Sequence, residues 1–388
     1  MLKIKLMNKI AKVGTDMLSP TKYEVSDSVQ NEDAIMVRSA NLHDLEFSKN
    51  LRAIARCGAG VNNIPIERCT KGGGVVFNTP GANANAVKEL AIASLILASR
   101  DVIGGVNWTA TLKGEEGVAK KVEAGKSAFV GHELAGKTLG VIGLGAIGGM
   151  VANVAVSLGM SVMGYDPYIT AKAAWSLAPS IRQASDYEEI IKSCDYISLH
   201  VPATPQTKNM ICETSIAKMI EGVRILNLSR ADLVNAGDVK KAIQEGKIAK
   251  YVTDFPTEET VGEEGIITIP HLGASTVESE DHCAVMAGQE LDEFLSCGNI
   301  RNSVNFPAVS LPRSEYPRVC VMHENIPNVL SQITSAFSAK GINIENINSG
   351  SKGEVAYTIV ETSKLFDDEV LQAISAIDAV FGVRSYNV

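Results

Sequence analysis

Residues 137–166 read KTLGVIGLGAIGGMVANVAVSLGMSVMGYD, and this stretch decides the fold of the chain around it. The apolar segment 139–142 predicts a strand, and apolar residues at helical spacing after the glycines predict a helix. Between them, Gly143, Gly145 and Gly148 form the pattern G-x-G-x-x-G. The first glycine permits a tight turn, the second lets the backbone approach a pyrophosphate, and the third lets helix and strand pack closely. The segment therefore predicts a dinucleotide-binding βαβ unit.

The end of the second strand predicts which dinucleotide is bound. Ala146 and Ile147 open the helix, whose unpaired N–H groups would face the phosphates. Asp166 ends the following strand, where a carboxylate can accept hydrogen bonds from both adenosine ribose hydroxyls. The same carboxylate would repel a ribose 2′-phosphate, so we expect NAD rather than NADP. An ordinary βα turn is the alternative interpretation of the glycines.

Composition excludes several other classes of protein. The 388 residues are enough for two or three domains. A net charge of −8 without a block of Lys or Arg argues against a nucleic-acid surface. The longest apolar run, residues 90–98, is about half a membrane span. Seven cysteines without C-x-x-C pairs predict reduced thiols in a cytoplasmic protein and no metal site.

Strand and helix signals alternate on both sides of the glycine motif, which predicts an α/β fold with mostly parallel sheets. Polar side chains at the ends of such strands are candidates for chemistry. A hydride leaving an alcohol carbon needs a base for the hydroxyl proton and a cation for a carboxylate. Arg230 and His271 follow two of these strands, and Glu258 and Glu259 are carboxylates that could hold the imidazole. A surface arginine, a loop histidine and solvated glutamates are the alternatives.

Five segments, GVIGLGAIG, LHVPATPQTKNMI, ILNLSRADLV, TDFPTEE and IPHLGAST, occur in this order. Together they resemble the D-isomer-specific 2-hydroxyacid dehydrogenases. The resemblance implies that Arg230 binds the substrate carboxylate and carbonyl oxygen, that His271 is the acid/base, and that a glutamate supports it. Family members often read D-V-F-P-T-E-P, and this chain has one residue fewer between the aspartate and Phe-Pro. Aligning the motif on Phe255-Pro256 selects Glu258 as the supporting glutamate, whereas counting five residues from Asp254 selects Glu259.

The same resemblance implies the cofactor contacts, and Asp254 is expected to meet the nicotinamide carboxamide. The expected contacts are Gly143, Gly145, Ala146, Ile147, Gly148, Asp166, His200, Val201, Pro202, Thr207, Leu228, Ser229, Arg230, Asp254, His271, Gly273 and Ala274. It also implies three domains. A doubly wound, Rossmann-like NAD domain, 87–274, is expected to be inserted in a smaller flavodoxin-like α/β substrate domain, 1–86 and 275–308.

Two loops before the glycine motif imply the substrate class. Arg38 and Ser39 resemble the family loop that meets a substrate phosphate, and Ala59, Gly60 and Val61 resemble the loop that binds a carboxylate through backbone N–H groups. With Arg230 and His271, they imply NAD-dependent oxidation of D-3-phosphoglycerate at the entry to serine synthesis. Reduction of glyoxylate or hydroxypyruvate is one alternative, and a non-catalytic NAD-sensing protein is another.

The C-terminal part of the chain shows a different order of predicted strands and helices. Residues 305–317 carry prolines and predict a linker, and residues 316–388 show the βαββαβ order of a ferredoxin-like domain. This domain resembles an ACT regulatory module. The resemblance implies L-serine as an effector and a homodimer or homotetramer as the assembly. Its expected serine contacts are His323, Asn325 and Asn343, with Asn328 where ACT domains usually have glycine.

Overall fold

The structure is a computed structural model that describes residues 1–386. Asn387, which ends the last predicted strand, therefore lies outside the described residues. The chain forms two compact units: Met1–Asn83 together with the described residues from Val277 onward, and Ala84–Thr276. Among the helices of the described residues, none combines the length and apolar character that crossing a membrane requires.

The first segment of the first unit forms a parallel sheet. Its elements are β1 (Leu2–Leu6), α1 (Lys12–Thr15), β2 (Tyr23–Ser26), β3 (Ala34–Val37), β4 (Ala53–Arg56), α2 (Ile66–Lys71) and β5 (Val75–Asn78). Neighbouring strands pair in parallel in the order β2-β1-β3-β4-β5. This order is the flavodoxin-like one that the sequence predicted.

The second unit forms a seven-stranded parallel sheet with helices on both faces. Its first elements are α3 (Ala84–Ser99), α4 (Val102–Thr111), α5 (Val118–Gly125), a 3₁₀ helix (Lys126–Phe129), β6 (Thr138–Ile142), α6 (Ala146–Ser157), β7 (Ser161–Tyr165), α7 (Ala171–Trp175) and β8 (Arg182–Gln183). The others are α8 (Tyr187–Ser193), β9 (Tyr196–Leu199), α9 (Glu213–Ile216), β10 (Val223–Asn227), a 3₁₀ helix (Ala231–Leu233), α10 (Ala236–Gln244), β11 (Ile248–Thr253) and β12 (Ile266–Thr268).

The strand order of this second sheet fixes where a ligand can bind. The order is β12-β11-β10-β9-β6-β7-β8, so the chain winds first to one side of β6 and then to the other. This is the doubly wound, Rossmann-like topology that the sequence predicted. The winding reverses between β6 and β9, and ligands of such sheets bind outside the strand ends at that switch point.

The remaining elements belong to the first unit. They are α11 (Val277–Cys297), β13 (Arg318–Glu324), α12 (Val329–Ser338), β14 (Ile344–Lys352), β15 (Val355–Thr362), α13 (Asp368–Ser375) and β16 (Val380–Tyr386). The four strands form an antiparallel sheet in the order β14-β15-β13-β16, which confirms the predicted ferredoxin-like domain.

Both faces of the two central strands of this sheet, β13 and β15, are buried, whereas most residues of β14 are exposed. Val319 and Val321 pack beneath α12 and α13, whereas Met322 and Tyr357 lie in one core with Phe294 of α11. The predicted linker takes part in this core, because Phe306 and Val309 are buried within it. The last domain therefore packs within the first unit, and its predicted bounds stay a prediction. A strand with two buried faces cannot leave the surface that buries it without exposing apolar area.

A buried ion pair joins β13 to β15, and the arginine of this pair also binds the end of α11. The Arg318 Nη2 atom lies 2.6 Å from the Glu361 Oε1 atom, and both side chains are buried. The Arg318 Nη1 atom donates to the Cys297 carbonyl oxygen at 2.7 Å, and Nη2 donates to the Pro312 carbonyl oxygen at 2.7 Å. A buried charge stabilises a fold only when its hydrogen bonds are made, as they are here.

Candidate active site

The glycine loop of the second unit has no room for side chains at two of its three glycines. A Cβ atom on Gly148 would lie 1.9 Å from the Gly143 carbonyl oxygen, and one on Gly143 would lie 2.5 Å from the His200 carbonyl oxygen. Gly143 also has a φ of +92°, which only glycine adopts readily. Gly145, at the start of α6, faces open space. The loop is therefore shaped to bring backbone N–H groups close to a phosphate.

The Asp166 carboxylate follows β7 beside the glycine loop. Its Oδ2 atom accepts a hydrogen bond from the Leu144 N–H at 2.9 Å, and its Oδ1 atom accepts one from the Tyr168 N–H at 2.9 Å. Each oxygen keeps a second lone pair for a ligand. The carboxylate is thus held in place by the loop that would carry the phosphates, as the predicted ribose contact requires.

A cavity of about 750 Å³ opens between the glycine loop and the end of β9. Its lining includes the predicted cofactor residues Gly143, Gly145, Asp166, His200, Val201, Pro202 and Thr207. The Thr207 Oγ1 atom donates to the Pro202 carbonyl oxygen at 2.6 Å, which closes the loop after β9. The size and the lining suit the adenosine and pyrophosphate parts of a dinucleotide.

His200 supports this loop and does not take part in acid/base chemistry. Its Nε2 atom lies 2.8 Å from the Ser198 hydroxyl, and its Nδ1 atom is shielded without a partner among the described residues. Burial lowers the pKa of His200 to about 4. The imidazole is therefore neutral at pH 7, and its backbone contact with Gly143 is what the site uses.

Arg230 stands at the end of β10 on a braced turn. The Asn227 Oδ1 atom accepts hydrogen bonds from the Ser229 and Arg230 N–H groups at 3.2 and 3.4 Å, and its Nδ2 atom donates to the Arg230 carbonyl oxygen at 2.8 Å. Leu228 is buried, whereas the Arg230 side chain is exposed and, of the described residues, donates to the Ser229 carbonyl oxygen. A fixed backbone and an exposed guanidinium fit the predicted role of binding an anion.

Asp254 is the buried carboxylate of the site. Its Oδ2 atom accepts a hydrogen bond from the Gly273 N–H at 3.2 Å, and its Oδ1 atom is buried without a partner among the described residues. Burial raises the pKa of Asp254, against which the Gly273 N–H and the charges of His271 and Arg230 act. A buried acceptor with no donor is costly. A carboxamide N–H would satisfy it, so Asp254 fits its predicted contact with the nicotinamide.

Within the described residues, neither candidate glutamate forms an ion pair with His271. The imidazole is exposed, and its ring centre lies 4.8 Å from that of Phe255. Glu258 and Glu259 are exposed at the tip of a turn. That turn is closed by Thr257 and Thr260, whose backbone and side chains hydrogen bond to each other. The choice between the two glutamates stays a prediction, and the charge interaction of His271 is with Asp254.

The first unit holds the predicted substrate loops. The Asn8 Oδ1 atom accepts hydrogen bonds from the backbone N–H groups of Arg38, Ser39 and Ala40 at 3.1, 3.0 and 2.9 Å. These N–H groups are therefore occupied, so the Arg38 side chain is the part of the residue that can bind an anion. Its Nη1 atom lies 2.7 Å from the Glu280 Oε1 atom in a half-exposed ion pair. Sequence reasoning missed Asn8, although an asparagine shortly after a strand is a common signal of backbone capping.

The second predicted substrate loop, residues 57–61, is tied to the end of β5. The Asn78 Nδ2 atom donates to the Ala59 carbonyl oxygen at 2.7 Å, and the Thr79 N–H donates to the Gly58 carbonyl oxygen at 3.1 Å. Gly60 and Val61 follow the tethered residues. The Cys57 and Gly58 N–H groups donate to the Val37 and Arg56 carbonyl oxygens, so residues 59–61 are the part of the loop that can present N–H groups, as the predicted carboxylate nest requires.

The predicted serine contacts do not lie together in one copy of the antiparallel domain. His323 is buried, with its two ring nitrogens 2.8 Å from the Glu324 carbonyl oxygen and 2.9 Å from the Thr358 hydroxyl. Both nitrogens are thus engaged within one copy of the domain, and the role of His323 as a serine contact stays a prediction. Asn325 follows the end of β13, whereas Asn343 precedes β14 at the opposite end of the sheet. Seven strand residues separate these ends by roughly 20 Å.

Asn328 takes the conformation that glycine has in such loops. Its φ is +73° and it lies directly before α12. Asparagine tolerates this left-handed region better than other residues with a side chain. The departure from glycine therefore leaves the shape of the loop intact.

The sequence matches two known protein families, one for the predicted NAD domain and one for the predicted ACT domain. Residues 106–275 match the family described as D-isomer specific 2-hydroxyacid dehydrogenase, NAD binding domain, and residues 320–385 match the AHAS small subunit-like ACT domain. The D-3-phosphoglycerate dehydrogenase of Haemophilus influenzae is 30% identical over 376 residues, which cover 93% of this chain and 88% of the relative. The chain belongs to the D-isomer specific 2-hydroxyacid dehydrogenase family. The family, the NAD cofactor and the ACT domain predicted from the sequence are thereby confirmed.

Other similar proteins differ from this chain in length. The D-3-phosphoglycerate dehydrogenase of Methanocaldococcus jannaschii is 32% identical over 342 residues, which cover 85% of this chain and 62% of the relative. The NAD⁺-bound crystal structure of 3-phosphoglycerate dehydrogenase from Entamoeba histolytica has a TM-score of 0.61 and 28% identity, and the match covers 78% of this chain and 98% of that one. The chain thus spans under two thirds of one relative and nearly all of another.

The glycine loop gives a pair of variants with different outcomes. We expect Gly145→Ala to lower the affinity for NADH by at least about tenfold at unchanged thermal stability, because its Cβ would occupy open space at the phosphate position. Gly148→Ala should lower both the affinity and the stability, since its Cβ overlaps the Gly143 carbonyl oxygen. Fluorescence titration and thermal unfolding measure the two quantities. Equal behaviour of the variants would contradict this account of the loop.

Proposed function

We propose that the protein oxidises D-3-phosphoglycerate to 3-phosphohydroxypyruvate with NAD⁺, the first step of serine synthesis. The observation that carries the proposal is that one chain holds an NAD site with exposed Arg230 and His271 and, in its other unit, Arg38, whose half-exposed side chain can exchange Glu280 for a phosphate. The relatives named D-3-phosphoglycerate dehydrogenase support it. NAD⁺ would accept the hydride from the substrate carbon.

Each proposed residue has one task. The Gly143–Gly148 loop and Asp166 bind the pyrophosphate and ribose, and Asp254 orients the carboxamide. Arg230 pairs with the substrate carboxylate and polarises the carbonyl oxygen as it forms. His271 takes the hydroxyl proton at its imidazole, a step that needs a titrating group near neutral pH.

The two alternative functions explain fewer of the observed features. Glyoxylate or hydroxypyruvate reduction keeps Arg230 and His271 but leaves Arg38 and the ACT domain without a task. A non-catalytic NAD-sensing protein is compatible with Arg230 and His271 but leaves the ACT domain without a task. An assay that follows NADH oxidation with 3-phosphohydroxypyruvate against glyoxylate decides among the three. A clear preference for glyoxylate, or no turnover with either, would reject the proposal.

We also propose a homodimer. The helices α4 and α5 bury none of their own residues, although Val102, Ile103, Val106 and Val118 are exposed apolar side chains. Apolar patches of this kind mark contact surfaces between chains. Light scattering of the full chain gives the mass of the assembly, and a monomer would contradict the proposal.

Arg38 should set the preference for phosphorylated substrates. We expect Arg38→Ala to raise KM for 3-phosphohydroxypyruvate by roughly ten- to hundredfold, the worth of a charge-assisted hydrogen bond, and to leave KM for glyoxylate nearly unchanged. Arg52→Ala, which removes a cation from the same sheet, is the control. If both substrates are affected equally, Arg38 does not contact the phosphate.

His271 should control turnover and not cofactor binding. We expect His271→Asn to lower kcat by about 10²- to 10⁴-fold, the usual contribution of a positioned acid/base, with NADH affinity near that of the wild type. His282→Asn, at an exposed position of α11, is the matched control. An unchanged kcat would remove His271 from the mechanism.

We further propose L-serine as an effector of the ACT domain. Asn325 and Asn343 offer both donors and acceptors to an amino acid. Because they lie at opposite ends of one sheet, a shared site takes them from two copies of the domain. We expect serine binding by calorimetry to be lost in Asn325→Ala and kept in Asn50→Ala, both in the full chain. Truncation before the domain is a poor test, since it would expose the core around Phe306. Absence of binding to the wild type would reject the effector.

A further inference from the structure

Glu290 of α11 is a buried carboxyl that the proposed reaction does not use. Its Oε1 atom accepts a hydrogen bond from Asn302 Nδ2 at 2.7 Å. Its Oε2 atom is buried and has no partner among the described residues, and the side chain as a whole is 6% exposed. Burial raises the pKa of Glu290 to about 8. The carboxyl is therefore largely protonated at pH 7.

A chain of hydrogen bonds joins Glu290 to the substrate loop at residues 57–61. Asn302, which binds the carboxyl through its side chain, accepts a hydrogen bond at its carbonyl oxygen from the Asn78 N–H at 3.3 Å. The Asn78 Nδ2 atom in turn donates to the Ala59 carbonyl oxygen at 2.7 Å. Three bonds thus lead from a carboxyl in α11 to the backbone of the loop.

The surroundings give an ionised Glu290 little compensation. The thiols of Cys57, after β4, and Cys283, on α11, lie near it. Arg56, at the end of β4, and Arg38 are the cations of this region. Burial raises the pKa of Cys57 to about 12, and the two arginines act against that rise. The helix α1 faces α11 with Gly14, and β5 faces it with Phe77, so neither contributes a charge. No ion pair of the described residues includes Glu290. Of the described groups, the Asn302 amide is the one that acts on Glu290 itself in favour of the charged form, and burial outweighs it. A charge at this position is therefore costly.

We propose that Glu290 is a positioning residue for the substrate loop 57–61, acting through Asn302 and Asn78, and that loss of its proton loosens the loop. The inference rests on the proposed function in taking this loop as part of the substrate site. An ionised carboxylate draws water or shifts the segment that carries Asn302. Because Asn302 and Asn78 are directly bonded, the shift reaches Ala59.

Kinetics over pH 6.5 to 9.5 test the link to the substrate. We expect the wild-type KM for 3-phosphohydroxypyruvate to rise about three- to tenfold above pH 8, the worth of about one hydrogen bond, relative to that of Glu290→Gln, whose neutral amide keeps the bond to Asn302. The value of kcat should change less than KM. Glu278→Gln, on the exposed start of the same helix, should follow the wild type. Parallel pH profiles for the wild type and Glu290→Gln would overturn the proposal.

Hydrogen exchange of the loop tests the proposal without turnover. Amides 58–61 should exchange faster in the wild type than in Glu290→Gln at pH 9 and at equal rates at pH 6, and Asn78→Ala should exchange fast at both. The same rates in all proteins at pH 9 would overturn the proposal. Loss of activity with a pH-dependent loop would instead reject the proposed substrate and keep the positioning role.

The folding stability of the chain should also depend on the titration of Glu290, in a direction that can be stated. The pKa of Glu290 is raised from 4.5 to about 8 in the folded chain, so the contribution of its proton to stability is complete below pH 4.5 and is lost as the pH rises through 8. Glu290→Gln should therefore gain stability relative to the wild type at pH 9. No relative gain between pH 6 and pH 9 would show that the buried carboxyl does not titrate in this range.

Discussion

The contact between Gly148 and the Gly143 carbonyl oxygen is the constraint on which the dinucleotide unit depends. A side chain at either glycine would push α6 away from β6 or from the end of β9. Three backbone segments, at Gly143, Gly148 and His200, converge at the topological switch point. The one open direction is at Gly145, where α6 begins. The close contacts at Gly143 and Gly148 thus determine the shape of the phosphate site. The N-terminus of α6 gives the site its preference for negative charge.

A second constraint acts in the other unit, where the two central strands of the antiparallel sheet, β13 and β15, are buried on both faces. The helices of the domain cover one face, and the core around Phe294 and Phe306 covers the other. The Arg318–Glu361 ion pair joins these two strands, and Arg318 also donates to the Cys297 carbonyl oxygen at the end of α11. A change of conformation in this domain would therefore act on α11. Regulation by a small molecule would need two states of this packed assembly with different affinities for the effector.

The sequence predicted the features that local geometry controls. Glycine spacing and strand ends located Gly145, Asp166, Arg230, Asp254 and His271, because each depends on a turn or a strand terminus that neighbouring residues determine. The confirmed fold followed from the alternation of strands and helices. In these cases the pattern and the structure are set by the same few residues.

What the sequence could not predict depends on contacts between distant residues. The Asn302–Glu290 and Asn78–Ala59 bonds join segments whose pairing appears only after folding. The burial of His323 had a visible signal that was misread. The segment RVCVMH has no alternation of apolar and polar residues, which is typical of a strand covered on both faces. Recognising this would have assigned His323 to a core and predicted the shared packing of the last domain.

The contacts at the two ends of α11 differ in strength, and the difference suits their tasks. The Arg38–Glu280 pair at the start is half exposed, and exposed pairs contribute about 0–1 kcal/mol. A phosphate oxygen accepting a charge-assisted hydrogen bond contributes about 1.5–3 kcal/mol, so Arg38 would exchange its partner for a bound phosphate at little cost. At the other end, the Cys297 carbonyl oxygen accepts a hydrogen bond from Arg318, whose buried pair with Glu361 joins β13 to β15. Breaking such a buried pair costs about 3–5 kcal/mol. The contact of α11 with the ACT domain is therefore firmly held, whereas its contact with Arg38 can be exchanged.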